Sequence, residues 1–261
     1  MATLHMVKSQ LLPISSKDNV ALTKFRISIA NVLLVFYLIP PLSVCYFIIN
    51  TLITDFEGST ATHCRVFNVL PSMSSVAKSQ QVVWKLVTWQ HFPARLLLIW
   101  LYSRYYCNRL NRGARKLSYV ALYLLLQESI STVALAQWAH INGSVRIHII
   151  TVLSMWLSGC GYLAISFICY KQQRYEPLKP HEQLSYRLKR NLLCVYFCTI
   201  VSMWSWYLLH TQLCLPLVYS VFALCEYIVT LTNMLYLCTC YLDFYTLYLC
   251  HGQYGYILTE F

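Results

Sequence analysis

Residues 27–54 read ISIANVLLVFYLIPPLSVCYFIINTLIT, an apolar run without one charged side chain. About 20 such residues cross the hydrocarbon core of a bilayer as an α-helix. The run is too long for the apolar core of a cleavable leader and ends in no small-residue cleavage site, so it reads as a retained anchor.

The rest of the chain repeats the pattern. Residues 147–170 carry no charge, and residues 191–250 hold two acids, Glu226 and Asp243, and no Lys or Arg. Of 261 residues, 58% are hydrophobic and 11% charged, with a mean hydropathy of +0.51. A soluble domain is roughly a quarter charged. The expected fold is an all-α integral membrane protein, a six-transmembrane-helix bundle with spans at 28–53, 82–102, 118–138, 147–170, 191–209 and 216–243. Pro216 opens the sixth span at its first turn. This divides the chain into an N-terminal tail (1–27), a transmembrane domain (28–243) and a C-terminal tail (244–261).

The net charge of +11 is distributed as orientation signals rather than as a nucleic-acid surface. Fifteen Lys and Arg fall in the N-terminal tail and in the segments 103–117 and 171–190; Arg65, Lys78 and Arg146 fall on the other side. The positive-inside rule then makes both termini cytosolic. The longest non-cytosolic loop, 54–81, contains STATHCRVFNVLPSMSSV (59–76) and is lumenal. Of the twelve cysteines, most lie inside apolar runs, where Cys behaves as a small hydrophobe. Cys238 and Cys240 lack metal-ligand spacing with histidines, and no metal is expected. Cys64 and Cys214 are the two cysteines placed in the lumen, which permits disulfides. A Cys64–Cys214 bridge would pin the long loop over helices five and six; the alternative is two free thiols at the membrane surface. The sequon Asn142-Gly143-Ser144 lies on the lumenal side, in a loop too short to favour glycosylation.

Ionisable groups near the bilayer centre cost about 2.5–3.5 kcal/mol each on insertion scales. In the second span His91 and Arg95 share a face, with Pro93 set to kink the helix between them. Lys85, near the lumenal end, can snorkel. Gln127 and Glu128 interrupt the third span, and Glu226, Thr230 and Asn233 form a stripe on the sixth. His91, Glu128 and Glu226 each lie about ten residues from the lumenal end, on the order of 15 Å deep. The expectation is a polar cavity between helices two, three and six, open to the lumen beneath the long loop. An ion-pair lock of Arg95 with Glu128 or Glu226 explains these residues as packing. A headgroup or acyl-transfer site explains them as function, and a proton relay is a third reading. Asp243 reads as an interfacial cap. Asp55, His63 and Ser72, Ser74 or Ser75 assemble a hydrolase triad only on paper, because no nucleophile elbow accompanies them.

TATHC (60–64) followed by NVLPSMSS (68–75) resembles the first lumenal loop of the FRAG/DRAM/SFK membrane family, in its branch acting on glycosylphosphatidylinositol (GPI) anchors. Trp84, Lys85, His91 and Arg95, then Glu128, Cys214, EYIVTLTNM (226–234) and Asp243-Phe244 extend the resemblance over roughly residues 25–245. One departure is Phe92-Pro93-Ala94, where the family places its proline one position nearer the arginine. The resemblance implies lipid remodelling of GPI anchors in the Golgi, or in the endoplasmic reticulum: a lyso-anchor is reacylated with a saturated fatty acid, by this chain as enzyme or as essential accessory. On that reading His91 is the general base, with Glu128 and Glu226 orienting it. Arg95 and Lys85 hold the phosphate, Asn233 contacts substrate, and Asn68 and Ser72 belong to the covering loop. The implied partners are a GPI-anchored protein or lyso-GPI lipid, membrane lipids, an acyl donor and a partner subunit, with no cofactor. The competing expectation is a non-catalytic membrane organiser of the same superfamily.

Overall fold

The computed structural model describes residues 26–138, 145–171, 177–252 and 255–260. The sequon at Asn142, Lys8, Lys17 and Lys24 of the tail, and Arg174 lie outside the described residues. In chain order the elements are β1 (Arg26–Ser28), α1 (Ile29–Thr54), α2 (Phe56–Thr60), α3 (Met73–Ser79), α4 (Gln81–Arg109) and α5 (Arg112–Trp138), followed by α6 (Val145–Lys171), α7 (Pro180–Leu213), α8 (Val218–Cys238), α9 (Cys240–Asp243), β2 (Leu247–Gly252) and β3 (Gly255–Glu260).

Among the described residues five helices, α1, α5, α6, α7 and α8 continued through α9, are long and apolar enough to cross a membrane. The expected second span is α4, at 29 residues long enough but more polar, because it carries Lys85, His91, Arg95, Arg104 and Arg109. The long helices form a ring: α1 packs on α4 and α8, α4 on α5, α5 on α6, α6 on α7, and α7 on α8. Apolar side chains cover its outside, with Ile53 78%, Val82 72% and Leu157 71% exposed. Such an exterior suits hydrocarbon, where a helix pairs its backbone polar groups within its own segment.

α4, α5, α6 and α7 overrun the expected span limits. Segment 103–117 is almost entirely helical, and α7 begins at Pro180. Arg and Lys are good helix formers, so the basic residues extend the helices instead of ending them. The consequence is largest at Asp243, expected as an interfacial cap. It is buried and accepts hydrogen bonds from Tyr102, Tyr170 (2.6 Å), Ser185 and Lys189. Lys189, counted from sequence as a loop charge, is only 2% exposed. Nearby, Glu182 accepts from Tyr105 at 2.7 Å and pairs with Arg109 at 3.4 Å. A tyrosine-rich core, with Tyr37, Tyr162, Tyr170, Tyr196 and Tyr236 fully buried, packs α1 and α4–α8 together.

The all-α expectation describes the helical body but misses a small sheet. β1, β2 and β3 form an antiparallel sheet in that order, with Arg26 opposite Cys250 and Ser28 opposite Tyr248. Arg26 lies over the Tyr248 ring at 3.6 Å. The chain therefore enters and leaves the helical ring at the same end, and Leu247–Gly252 and Gly255–Glu260 are strands within the expected C-terminal tail.

Candidate functional site

The loop between α1 and α4 is stitched along α8. Cys64 and Cys214 are disulfide-bonded, with Cα atoms 5.3 Å apart. The Leu217 N–H donates to the Phe67 carbonyl at 2.9 Å, and Ser220 Oγ accepts from the N–H groups of Val69 (2.8 Å) and Leu70 (3.3 Å). The Tyr227 hydroxyl donates to the Pro71 carbonyl, and the Met73 N–H to Glu226 Oε2 at 2.8 Å. Arg65, Cys214 and Leu217 adopt positive φ (52°, 48° and 64°). That conformation is uncommon for such side chains; it lies at the seam where loop meets helix. Ser72 caps α3 by accepting from the Ser75 N–H.

Beneath this strap lies a cavity of about 120 Å³. Arg95 of α4, Glu128 of α5, His148 of α6, Glu226 and Asn233 of α8 and Ser74 of α3 supply its polar lining, among apolar side chains such as Met155 and Val229. Arg95 and Glu128, 5% and 3% exposed, form an ion pair at 3.3 Å. Arg95 Nη1 also lies 3.4 Å from Ser129 Oγ. Arg95 Nε and Glu128 Oε2 have no hydrogen-bond partner among the described residues. Buried polar atoms are almost always satisfied, so this wall retains hydrogen-bonding capacity beyond the ion pair. Gly159 of α6 leaves the room these groups occupy: a Cβ there would stand 3.3 Å from Asn233 Nδ2, 3.5 Å from the Tyr196 hydroxyl and 3.6 Å from Glu128 Cδ.

The sequence expectations separate in space. Arg95, Glu128, Glu226, Thr230 and Asn233 line the one cavity. His91 opens instead on a second cavity of about 60 Å³ between α1, α4 and α5. Its ring meets Tyr37 edge-on at 4.9 Å, and its Nε2 has no partner among the described residues. Arg95, Trp84, Thr132 and Met234 belong to both cavities. Lys85, Asn68 and Ser72 line neither cavity. Asn68 is buried and donates to the Val66 carbonyl at 3.0 Å, shaping the loop. His63 stands beside the bridge and packs on the ring of His210. His148, which the sequence reading passed over, lies 3.2 Å through Nε2 from Ser74 Oγ. The available signal was the one histidine of α6, at i, with Val152 and Met155 at i+4 and i+7 on the same helix face.

A ring of membrane-length helices, strapped by a disulfide-tethered loop over a polar cavity, defines a multi-pass membrane protein with a chemically distinct interior. The profile of the Frag1/DRAM/Sfk1/Cwh43P N-terminal domain matches residues 29–247, and the chain belongs to this family. It is 33% identical over 241 residues to "Post-GPI attachment to proteins factor 2" of Drosophila pseudoobscura pseudoobscura, covering 91% of this chain and 94% of that one. To "Acyltransferase PGAP2" of Xenopus tropicalis it is 28% identical, covering 79% and 83% of the two chains. To "Post-GPI attachment to proteins factor 2" of Caenorhabditis elegans it is 24% identical, covering 76% and 78%. No solved structure matches.

Proposed function

We propose that this chain acts in lipid remodelling of GPI anchors, adding a saturated fatty acyl group to a lyso-anchor in the Golgi, or in the endoplasmic reticulum. The names of its relatives, post-GPI attachment factor and acyltransferase, support the pathway and the reaction class. The observation carrying the reading is the cavity wall: a buried arginine and carboxylate with unspent hydrogen-bonding atoms among apolar side chains. A lyso-lipid asks for both surfaces, polar contacts for its headgroup and an apolar bed for its chain.

Orientation enters through charge. Arg104, Arg109, Arg112, Arg115 and Lys116 lie at the end shared with the sheet, which by the positive-inside rule faces the cytosol. With α4, the expected second span, crossing alongside the other five, the chain crosses six times, and the meeting of β1 and β2 at one end is in keeping with an even number of crossings. The strapped cavity then opens to the lumen, on the side where GPI anchors are displayed. In this arrangement Arg95 donates to the anchor phosphate, Glu128 holds Arg95 in place, and Asn233 contacts the headgroup. Glu226 fixes the strap. Asn68 and Ser72 shape the strap without touching substrate, and Lys85 remains at the interface. Addition of a second chain converts marginal membrane attachment into stable anchoring.

Mass spectrometry of GPI-anchor lipids from cells lacking the protein tests this. Accumulated lyso-anchors are the expected result. Unchanged two-chain anchors, with no related gene compensating, would leave the non-catalytic organiser as the reading.

A further inference from the structure

The cavity contains a nucleophile and a base that the roles above leave unused. Ser74 Oγ and His148 Nε2 lie 3.2 Å apart, both residues line the cavity, and both are half-buried, so a substrate in the cavity reaches them. A serine hydroxyl is a weak nucleophile until a base stands within hydrogen-bonding reach, about 2.6–3.2 Å. Resting on the acyl-transfer reading, the geometry points to Ser74 as the residue that carries the acyl group in transit, and to His148 as its base.

The surroundings fit that task. Ser74 follows three consecutive fixed residues: the Pro71 carbonyl is held by Tyr227, Ser72 caps α3, and the Met73 N–H is held by Glu226. His148 arrives on a different element, α6, 74 residues further along the chain. Nucleophile and base thus sit on separately anchored backbones, the arrangement that keeps a reacting pair in register. Met73, Ala77, Leu135, Val152, Met155 and Val229 line the same cavity and give a fatty chain its bed. Arg95 lines the same cavity and can donate hydrogen bonds to a phosphate.

The donor is an acyl ester of a membrane glycerophospholipid. Ser74 Oγ adds to the ester carbonyl while its proton passes to His148 Nε2. The bond from the carbonyl carbon to the donor oxygen breaks, and that oxygen takes the proton from His148 and leaves as a lysophospholipid. The acyl group is now an ester of Ser74. The hydroxyl of the lyso-anchor gives its proton to His148 Nε2 and attacks this ester. The bond to Ser74 Oγ breaks, and the proton returns to Ser74. One ester replaces another, so no oxidant and no nucleotide are consumed.

The test uses the full chain purified into phosphatidylcholine vesicles with a labelled acyl group. A fluorophosphonate probe should attach to the Ser74 peptide. Without acceptor, the labelled acyl mass should appear on the same peptide. Ser74→Ala should lose both signals, and Ser74→Cys should recover the acyl adduct as a thioester. His148→Ala should slow both reactions by about 10²–10⁴-fold, with the Cys64–Cys214 bridge and the melting temperature unchanged. An unlabelled Ser74 in folded protein, or a Ser74→Ala variant transferring at the wild-type rate, overturns the pair. Label arriving only from an acyl thioester overturns the phospholipid donor. The two readings fail separately. Labelled Ser74 with unaltered anchors in cells lacking the protein refutes GPI remodelling and keeps the pair. Full restoration of two-chain anchors by Ser74→Ala refutes the pair and keeps remodelling.

Discussion

Glu226 Oε2 accepts the backbone N–H of Met73 at 2.8 Å, so a carboxylate lining the cavity also seats the helix that covers it. Glu226→Ala leaves that N–H unpaired, a loss of about 1–3 kcal/mol, and frees α3 from α8. Glu226→Gln keeps an acceptor oxygen in the same place. We expect lowered melting temperature and faster proteolysis in the 64–79 segment for the alanine variant. The glutamine variant should stay near wild type in both.

Removal of either Cys64 or Cys214 unpins the strap at its far end. The bridge closes 150 residues, and loss of a native disulfide of this kind costs about 2–5 kcal/mol. The single variants Cys64→Ser and Cys214→Ser and the double variant should destabilise alike, since each breaks the same bond. Non-reducing electrophoresis and thermal unfolding check this; additive losses would show that the cysteines act separately.

The Arg95–Glu128 pair separates packing from chemistry. Arg95→Ala strands Glu128 in the interior and should cost about 3–5 kcal/mol. The double variant Arg95→Met/Glu128→Gln removes both charges together and should retain most of the stability. If the pair serves only as a lock, the double variant works normally. The cavity reading predicts a folded protein without remodelling activity, measured as anchor composition against melting temperature.

Gly159 offers a steric test. An alanine there meets Asn233 at 3.3 Å and needs a shift of a few tenths of an ångström. A leucine must project into the space between Asn233, Tyr196 and Glu128. Gly159→Ala should remain active, while Gly159→Leu should lose activity at a stability cost of about 1–3 kcal/mol.

The membrane body was legible because charge-free runs such as residues 27–54 have no other stable home. The bridge was legible because topology left Cys64 and Cys214 as the pair on one side. Arg95, Glu128 and Glu226 announced themselves by being costly in an apolar helix. What escaped depended on contacts between distant segments. His148 is one of several polar residues in α6, and its partner Ser74 sits on another element. Lys189 counted as a loop charge until α7 proved to begin at Pro180, which carries it inward onto Asp243. The sheet pairs Arg26–Ser28 with residues more than two hundred positions later, a register that no local pattern specifies. His91 shares a helix face with Arg95 but opens on the second cavity, because Tyr37 of α1 packs against its ring.

The most direct measurement is mass spectrometry of GPI-anchor lipids in cells lacking this chain, re-expressing either the wild type or Arg95→Met/Glu128→Gln at equal levels. Lyso-anchors that persist with the variant and become two-chain saturated anchors with the wild type are the predicted result. Equal restoration by both would contradict the claim that the strapped cavity is where the anchor is remodelled.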